Sequence, residues 1–469
     1  MLPQGLLSAS VHRSRRAELF QRVDAPVLLV GNGTLPRNLP MNQQPFRQDS
    51  NFLYFTGCDL PNAAALITPF ECTLFVPLPA PDDALWHGVL PSADQLAEHF
   101  GVDRVLSSDA LKTQCEQHTK LLSLAISDPI RCELAAGLSK QHLAFGSLHG
   151  SDSLVDAVID MRRVKKTEEA GAHRKAAAIT AKAHLAAMRA TQVGGHEREI
   201  AALFDAVIAA SGCTNGYGSI VTVRGEILHN PSYINPLCDG DLLLLDGGAE
   251  LPSGYGADVT RTWPVNGQFT TQQRSAYEAV LQAQKESIDL CRPGTRYRDV
   301  HMRSCEVLAQ WLCDEKLLLC SPQEAVETGA HALFFPHGIG HYLGLDVHDL
   351  EQFGDRSAYE PGEKRSEQFG LSYLRLDRLL EPGNLVTVEP GFYVIDAILD
   401  DSTNLDTHRR RLNLPKIDQW RGFGGIRIED DILITEDAPE NLTGHIPREV
   451  DAIESAVGSS RSAAERLEI

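Results

Sequence analysis

Four acids sit within or at the ends of apolar, strand-like runs, where a charge is costly unless it is paired or bound to metal. Leu242-Leu-Leu-Leu-Asp246 closes on Asp246, and Asp258-Val-Thr-Arg-Thr262 follows a glycine-rich turn. Leu385-Val-Thr-Val-Glu389 closes on Glu389 before Pro390, and Gly425-Ile-Arg-Ile-Glu429 closes on Glu429. Strand alternation puts Asp258, Thr260 and Thr262 on one face, Glu389 with Thr387, and Arg427 with Glu429 opposite Ile426 and Ile428. Each position has an ordinary reading by itself. Asp246 and Asp258 suit turns, Glu389 or Arg427 an ion pair, and Glu429-Asp430-Asp431 a solvated acidic run. Taken together they do not, because four acids cannot share one buried region without cations.

The histidines sharpen the pattern. His337-Gly-Ile-Gly-His341 is followed by Gly344-Leu-Asp-Val-His348, and Glu226-Ile-Leu-His229 adds a fourth imidazole. The four-residue spacing of His337 and His341 resembles the zinc-protease helix, but Gly338 stands where that motif needs Glu. Pro336, Gly338 and Gly340 also oppose a regular helix, so that site is rejected. His229 and His348 taken singly read as ordinary surface or core residues. Four carboxylates with one neutral imidazole carry four negative charges, which two divalent cations would cancel. Oxygen-rich ligation with one His suits Mn²⁺, with Co²⁺ or Zn²⁺ as alternatives. Two such ions side by side lower the pKa of a water and stabilise an oxyanion, which is hydrolytic chemistry.

Such residues need a scaffold. A chain of 469 residues exceeds one core, since single cores stop growing at roughly 250–300 residues. Val27 to Val30, Ala64 to Thr68 and Cys72 to Val76 read as strands alternating with helical patterns, an α/β N-terminal domain over 1–160. The basic run Met161-Arg-Arg-Val-Lys-Lys166 and the alanine-rich segment after it open a second domain, 161–457, leaving 458–469 as a frayed tail. In the second domain Ile200, Leu203, Phe204, Val207 and Ile208 recur at helical spacing before Gly212. Thr270-x-x-Gln273 is a capping pattern for a helix that Pro293-Gly294 stops. Val300, Val307, Leu308, Trp311 and Leu312 mark another helix. Leu242 to Leu245, Leu385 to Val388 and Gly425 to Thr435 read as strands, so this domain is α+β.

Composition removes other functions. The net charge of −20 repels phosphate backbones and anionic lipid, so neither nucleic acid nor membrane is an expected partner. No apolar stretch approaches the roughly 18–20 residues of a membrane helix. The first sixteen residues are cationic and lack acids, but they lack the apolar run of a secretory signal. Ten cysteines scattered without a CxxC pair fit a reducing cytoplasm.

The ordered motifs Asp258-Val-Thr-Arg-Thr-Trp-Pro264, His337-Gly-Ile-Gly-His-Tyr-Leu-Gly-Leu-Asp-Val-His348, Glu381-Pro-Gly-Asn-Leu-Val-Thr-Val-Glu-Pro-Gly391 and Ile426-Arg-Ile-Glu-Asp-Asp431 resemble the proline-specific metallopeptidases of the pita-bread fold. Aminopeptidase P and prolidase are the relevant branches. Pro45-Phe-Arg-Gln-Asp-Ser-Asn-Phe-Leu-Tyr-Phe-Thr-Gly57 is similar to their N-terminal domain, so the likeness covers nearly the whole chain. The resemblance implies that Asp246 and His341 each serve mainly one metal, that Asp258 and Glu429 bridge two, and that Glu389 binds metal while assisting proton movement. It implies a pair of Mn²⁺ ions, with His229, His337 and His348 lining the substrate site and Arg427 and Tyr393 supporting it.

Two departures stand out. Asp246 and Asp258 are twelve apart where the family usually has eleven, so a bulge or longer turn at Leu251-Pro-Ser-Gly254 is expected. Residues 352–378 and 395–420 are insertions relative to the compact bacterial aminopeptidase P pattern and look more like prolidase. The expected activity is cleavage of an N-terminal residue from a following proline in a peptide, by an enzyme expected to be a homo-oligomer. The alternatives are a dipeptide-specific prolidase, a non-catalytic pita-bread binding protein, and a methionine aminopeptidase or creatinase. The N-terminal domain opposes the methionine aminopeptidase reading. The complete ligand set opposes the creatinase and binding-protein readings.

Overall fold

The structure is a computed structural model that describes residues 7–77, 79 and 83–468. The first six residues of the cationic N-terminal stretch therefore lie outside the described residues. The chain divides into two compact units, residues 1–162 with 252–254 and 350–357, and residues 163–251, 255–349 and 358–469.

The first unit is built from α1 (Ala9–Leu19), β1 (Val27–Val30), α2 (Ser50–Thr56), β2 (Ala64–Ile67), β3 (Cys72–Val76), β4 (Arg104–Ser107) and β5 (Leu122–Ser123). Its sheet runs β4-β3-β2-β1-β5. β1, β2 and β3 are buried along their whole length, which is why they read as continuous apolar runs. Cations of the acid-free N-terminal stretch are used inside the fold. His12, Arg15 and Arg16 are buried and donate to the carbonyls of Tyr54 and Phe55 at the end of α2. Those carbonyls have no partner within their own helix and carry the negative end of its dipole.

The second unit holds α3 (Thr167–Ala190), α4 (Glu197–Ala210), β6 (Ile220–Thr222), β7 (Leu242–Asp246), β8 (Thr260–Pro264), α5 (Thr271–Leu290), α6 (Tyr297–Asp314), β9 (Leu385–Val388), β10 (Gly391–Tyr393), β11 (Gly425–Arg427) and β12 (Asp430–Leu433). Thr270 and Gln273 form the reciprocal cap of α5, and the apolar stripes of α4, α5 and α6 join one extensive core. β7 lies between β8 and β6, and β9 pairs with β12 while β10 pairs with β11.

The run from Gly425 to Thr435 is two strands rather than the single one expected. Pro390 on the facing chain has no N–H to give. Ile428 N donates to Pro390 O, and Glu429 N turns instead to Thr260 O at 3.0 Å. The register nevertheless carries across the break, Val388 facing Asp430 on one side and Gly391 facing Arg427 on the other.

The segment from Gly458, expected to fray, is ordered through Glu468. Gly458 N and Ser460 Oγ bond the last carbonyls of α3, and Ser462 caps a short helix, Ala463–Leu467. The insertions carry short helices and turns, among them Leu371–Tyr373, Asp396–Leu399, Ser402–His408 and Leu414–Asp418. Among the described residues no helix is long and apolar enough to cross a membrane.

Candidate metal centre

Asp246 ends β7 facing Thr260 of β8, and Asp258 lies two residues before that strand. The chain between them folds back through a turn in which Leu251 N donates to Tyr255 O. The close return needs glycine, because a Cβ on Gly248 would stand 1.7 Å from Ala257 O. Asp246 and Asp258 are thereby brought onto one phenol, Tyr217, whose hydroxyl lies 2.5 Å from Asp246 Oδ1 and also reaches Asp258 Oδ1.

Glu389 and Glu429 come from the break between the paired strands. Thr260 Oγ1 donates to Glu429 Oε2 at 2.7 Å, so the strand carrying Asp258 also orients Glu429. His341 arrives on a segment bound to β9, with Thr387 N donating to His341 O and Glu389 N to Ile339 O. A Cβ on Gly340, whose φ is +154°, would meet Thr387 O at 2.3 Å. His341 Nδ1 bonds Tyr342 O at 2.9 Å, which fixes the tautomer and leaves Nε2 as the metal-competent nitrogen. That nitrogen is 3.4 Å from Asp258 Oδ2 and 3.7 Å from Glu389 Oε1.

Donor atoms of Asp246, Asp258 and Glu429 lie within 4.8 Å of one another, as do those of His341, Glu389 and Glu429, and those of Asp258, His341 and His348. Arg427 is the guanidinium bonded among these acids. Its Nη2 donates to Asp246 Oδ2 at 2.6 Å, its Nε to Thr260 Oγ1 and its Nη1 to Tyr393 Oη. One guanidinium set against four carboxylates leaves a surplus of negative charge, and the titration of the acids records it. Burial, outweighing Arg427, raises Asp246, and burial followed by Asp258 and Glu389 raises Glu429 well above its ordinary value. Burial lifts Glu389 to about 7. Burial also acts against the Asp258 carboxylate, but its contacts with His341 and Tyr217 hold it below the usual value. Oxygen-rich donors with one oriented imidazole, over-supplied with negative charge, fit divalent cations.

The remaining expected residues lie around this cluster. His337 Nδ1 bonds Gly338 O and its Nε2 takes the Tyr393 hydroxyl at 2.9 Å. Arg427, Tyr393 and His337 therefore form one chain of hydrogen bonds. Burial brings His337 down to about 3 and lifts Tyr393 to about 12, so the imidazole is neutral and the phenol protonated at neutral pH. His348 is exposed, its ring centroid 4.4 Å from that of His341. His229 is an exposed residue of a loop after β6, near enough to His337 to act on its charge.

Four participants went unseen in the sequence. Tyr217 lies in a short irregular stretch between glycines, without periodicity. Arg375 lies in the first insertion, 3.3 Å from His348 Nδ1, on a segment packed against Gly338, where a Cβ would stand 2.9 Å from Leu374 Cα. Asp430 and Asp431 are not solvated as their acidic run suggested. Asp430 is ion-paired with Arg261 and Arg448, and both oxygens of Asp431 accept the Asp258 amide. The apolar alternation of Ile428 and Ile432 around them was the available signal.

The chain is similar to known metallopeptidases. A profile described as Metallopeptidase family M24 matches residues 171–436, and one described as Aminopeptidase P, N-terminal domain matches residues 12–124. A probable Xaa-Pro aminopeptidase of Aspergillus fumigatus is 32% identical over 97% of this chain and 98% of its own length. One from Botryotinia fuckeliana is 34% identical over 89% and 88%. Zinc-substituted aminopeptidase P of E. coli, solved in complex with product, superposes with a TM-score of 0.81 at 29% identity, covering 96% of this chain and 98% of that one. PepP of Pseudomonas aeruginosa gives 0.80 at 27% identity, with 97% and 98% covered.

Proposed function

Because the chain belongs to metallopeptidase family M24, we propose that it is an Xaa-Pro aminopeptidase, hydrolysing the bond between an N-terminal residue and a following proline. The observation that carries this reading is the convergence of Asp246, Asp258, His341, Glu389 and Glu429 in overlapping groups of donors. Asp246 and His341 would each hold mainly one ion, Asp258 and Glu429 would be shared by the pair, and Glu389 would serve metal and proton. Manganese is the metal proposed, on the strength of the carboxylate-rich donor set. When bound, a divalent pair supplies Lewis acidity and makes water a nucleophile at neutral pH.

The chain's own groups do the rest. Glu389, whose Oε1 lies 3.7 Å from His341 Nε2 at the edge of the cluster, suits receiving a proton from the attacking water and returning it to the leaving proline nitrogen. Arg427 holds Asp246 and, through Tyr393, orients His337. His348 and His229, exposed beside the cluster, are assigned to the scissile carbonyl and the developing oxyanion. Proline explains why a dedicated site is needed, since its tertiary amide has no N–H for an ordinary peptidase to grip and its φ is fixed.

One observation favours a second reading, the dipeptide-specific prolidase. Arg375, next to His348, offers positive charge where the carboxylate of a short substrate would lie. The two readings separate on rates with metal-loaded protein. Cleavage of Arg-Pro-Pro-type peptides supports the aminopeptidase, cleavage of Gly-Pro alone moves the assignment to prolidase, and cleavage of neither removes both.

A cytoplasmic location and a homo-oligomeric state belong to the same proposal. The first is supported by cysteines that mostly serve as small core residues, the second by exposed Leu85, Trp86 and Val89 in the first unit. Sedimentation velocity reads the oligomeric state.

A further inference from the structure

Lys165 Nζ lies 2.9 Å from Asp349 Oδ2, and each side chain is only 1% exposed. Neither belongs to the carboxylate cluster. A buried ion pair is weak evidence for stability, since desolvation cancels much of the attraction, and one kept in an interior calls for another reason. Its surroundings supply one. The Asp349 carboxylate also accepts Asp346 N at 3.3 Å, and Asp349 N returns to Tyr342 O. Gly344 N donates to Asp346 O, and the carboxylate packs so closely on Gly344 that a Cβ there would stand 2.2 Å from Oδ2. The segment from Tyr342 to Asp349 is thus a tight loop closed around one carboxylate. Lys165 is fixed from the other side, its backbone N donating to Gly383 O at 2.7 Å. Gly383 lies two residues before β9, the strand that bonds the His341 segment.

His348 is the neighbour of Asp349 in sequence and rides on this loop. Its ring meets that of His341 nearly edge to face, and a ring nitrogen comes within 4.8 Å of the Asp258 and His341 donors. An exposed side chain on a loop is mobile unless its backbone is held, and a misplacement of about 1 Å can cost on the order of a hundredfold in rate. We infer that Lys165 and Asp349 are positioning residues that set His348 against the reacting carbonyl by anchoring its loop, without touching substrate or metal. This rests on the proposed peptidase reading and adds to it a fixed point outside the site.

The test uses metal-loaded full-length protein and a Lys165→Met/Asp349→Leu double variant, which removes both charges of the pair together. The expected result is a melting temperature and bound-metal content close to wild type, with kcat on an Arg-Pro-Pro-type peptide down about tenfold or more and KM changed less. Adding His348→Ala should cause little further loss, because residues acting through one group are not additive. Lys165→Arg, which keeps the charge, should recover most of the rate. A double variant at wild-type kcat, or losses that multiply with that of His348→Ala, would overturn the inference.

A second reading does not depend on turnover. The His348 ring resonance, assigned by its disappearance in His348→Ala, should shift or broaden in the double variant while that of His12, in the first unit, stays in place. An unmoved His348 signal overturns the positioning role even if the protein cleaves no proline peptide. Failure of wild-type protein to cleave such peptides counts against the proposed function alone. Should the double variant not fold, Gly344→Ala, whose methyl would collide with the Asp349 carboxylate, is read by the same two measurements.

Discussion

Glu389 and Glu429 stand opposite each other across two antiparallel strands. The same register holds on both sides of the break, Val388 with Asp430 and Gly391 with Arg427. Like charges directly opposite on one face destabilise a strand pair. Here Glu429 is buried and Glu389 half-buried, so the arrangement favours either protons or cations between the two side chains.

That competition makes metal uptake pH-dependent. Burial raises Glu389 to about 7 and, with the neighbouring carboxylates, raises Glu429 well above its ordinary value, so the metal-free protein holds protons that a cation must displace. Affinity for Mn²⁺ should rise by about tenfold per pH unit for each proton displaced. Raised carboxyl values also contribute stability that is present at low pH and lost as pH climbs from the usual carboxyl value through about 7. The metal-free protein should therefore lose melting temperature over that interval relative to the loaded form. Calorimetric titration at pH 6 in two buffers of different ionisation enthalpy counts the released protons, and a count of zero contradicts the argument.

Asp258→Asn and Glu429→Gln should each abolish turnover and weaken metal retention, by about a hundredfold or more in affinity, since each removes a charge assigned to both ions. Metal analysis after dialysis, together with peptide hydrolysis, checks this. Wild-type rates in either variant contradict the bridging assignment.

Behind the cluster, Arg261 meets Asp430 at 2.7 Å with neither side chain exposed. Arg261 also donates to the carbonyls of Thr260 and Glu429, tying β8 to the start of β12. Arg261→Met should cost about 3–5 kcal/mol, because it leaves a buried carboxylate short of a partner. Burial pushes Asp430 up, but Arg261 and Arg448 outweigh it and hold the carboxyl below its ordinary value. Its contribution is present above pH of about 4 and is lost as pH falls through the depressed native value. Asp430→Asn should flatten that acid limb, which urea unfolding as a function of pH measures.

Arg375→Gln separates the two substrate readings. If the guanidinium engages the carboxylate of a dipeptide, kcat/KM on Gly-Pro should fall by about tenfold to a hundredfold, the range expected for one charged hydrogen bond. A longer peptide, whose carboxylate lies further away, should lose less. Equal losses on both would assign Arg375 to His348 instead of to substrate.

The parts of this protein legible in sequence are those with a local cause. Apolar runs gave β1, β2, β3, β7 and β9, helical spacing gave α4 and α6, and Thr270 with Gln273 announced α5. An acid closing an apolar run is likewise a local anomaly, so Asp246, Glu389 and Glu429 were visible as costly placements before any fold was known. Sequence reading was least reliable where the cause lies elsewhere in the chain. It made one strand of Gly425 to Thr435, because nothing in that segment reveals that Pro390 withholds a hydrogen bond from across the sheet. It assigned no role to the N-terminal cations, because their partners are carbonyls some forty residues on.

Sequence alone therefore determined which side chains are expensive to bury, and with them the class of chemistry, since desolvation cost is a property of residue type and its immediate neighbours. Tertiary structure decided which of those groups meet. It placed Glu389 opposite Glu429, brought Tyr217 onto two aspartates and Arg375 onto His348, and closed the His348 loop around Asp349. These are contacts between distant segments, set by strand register and by backbones that approach closely only at glycine, and no local pattern encodes them.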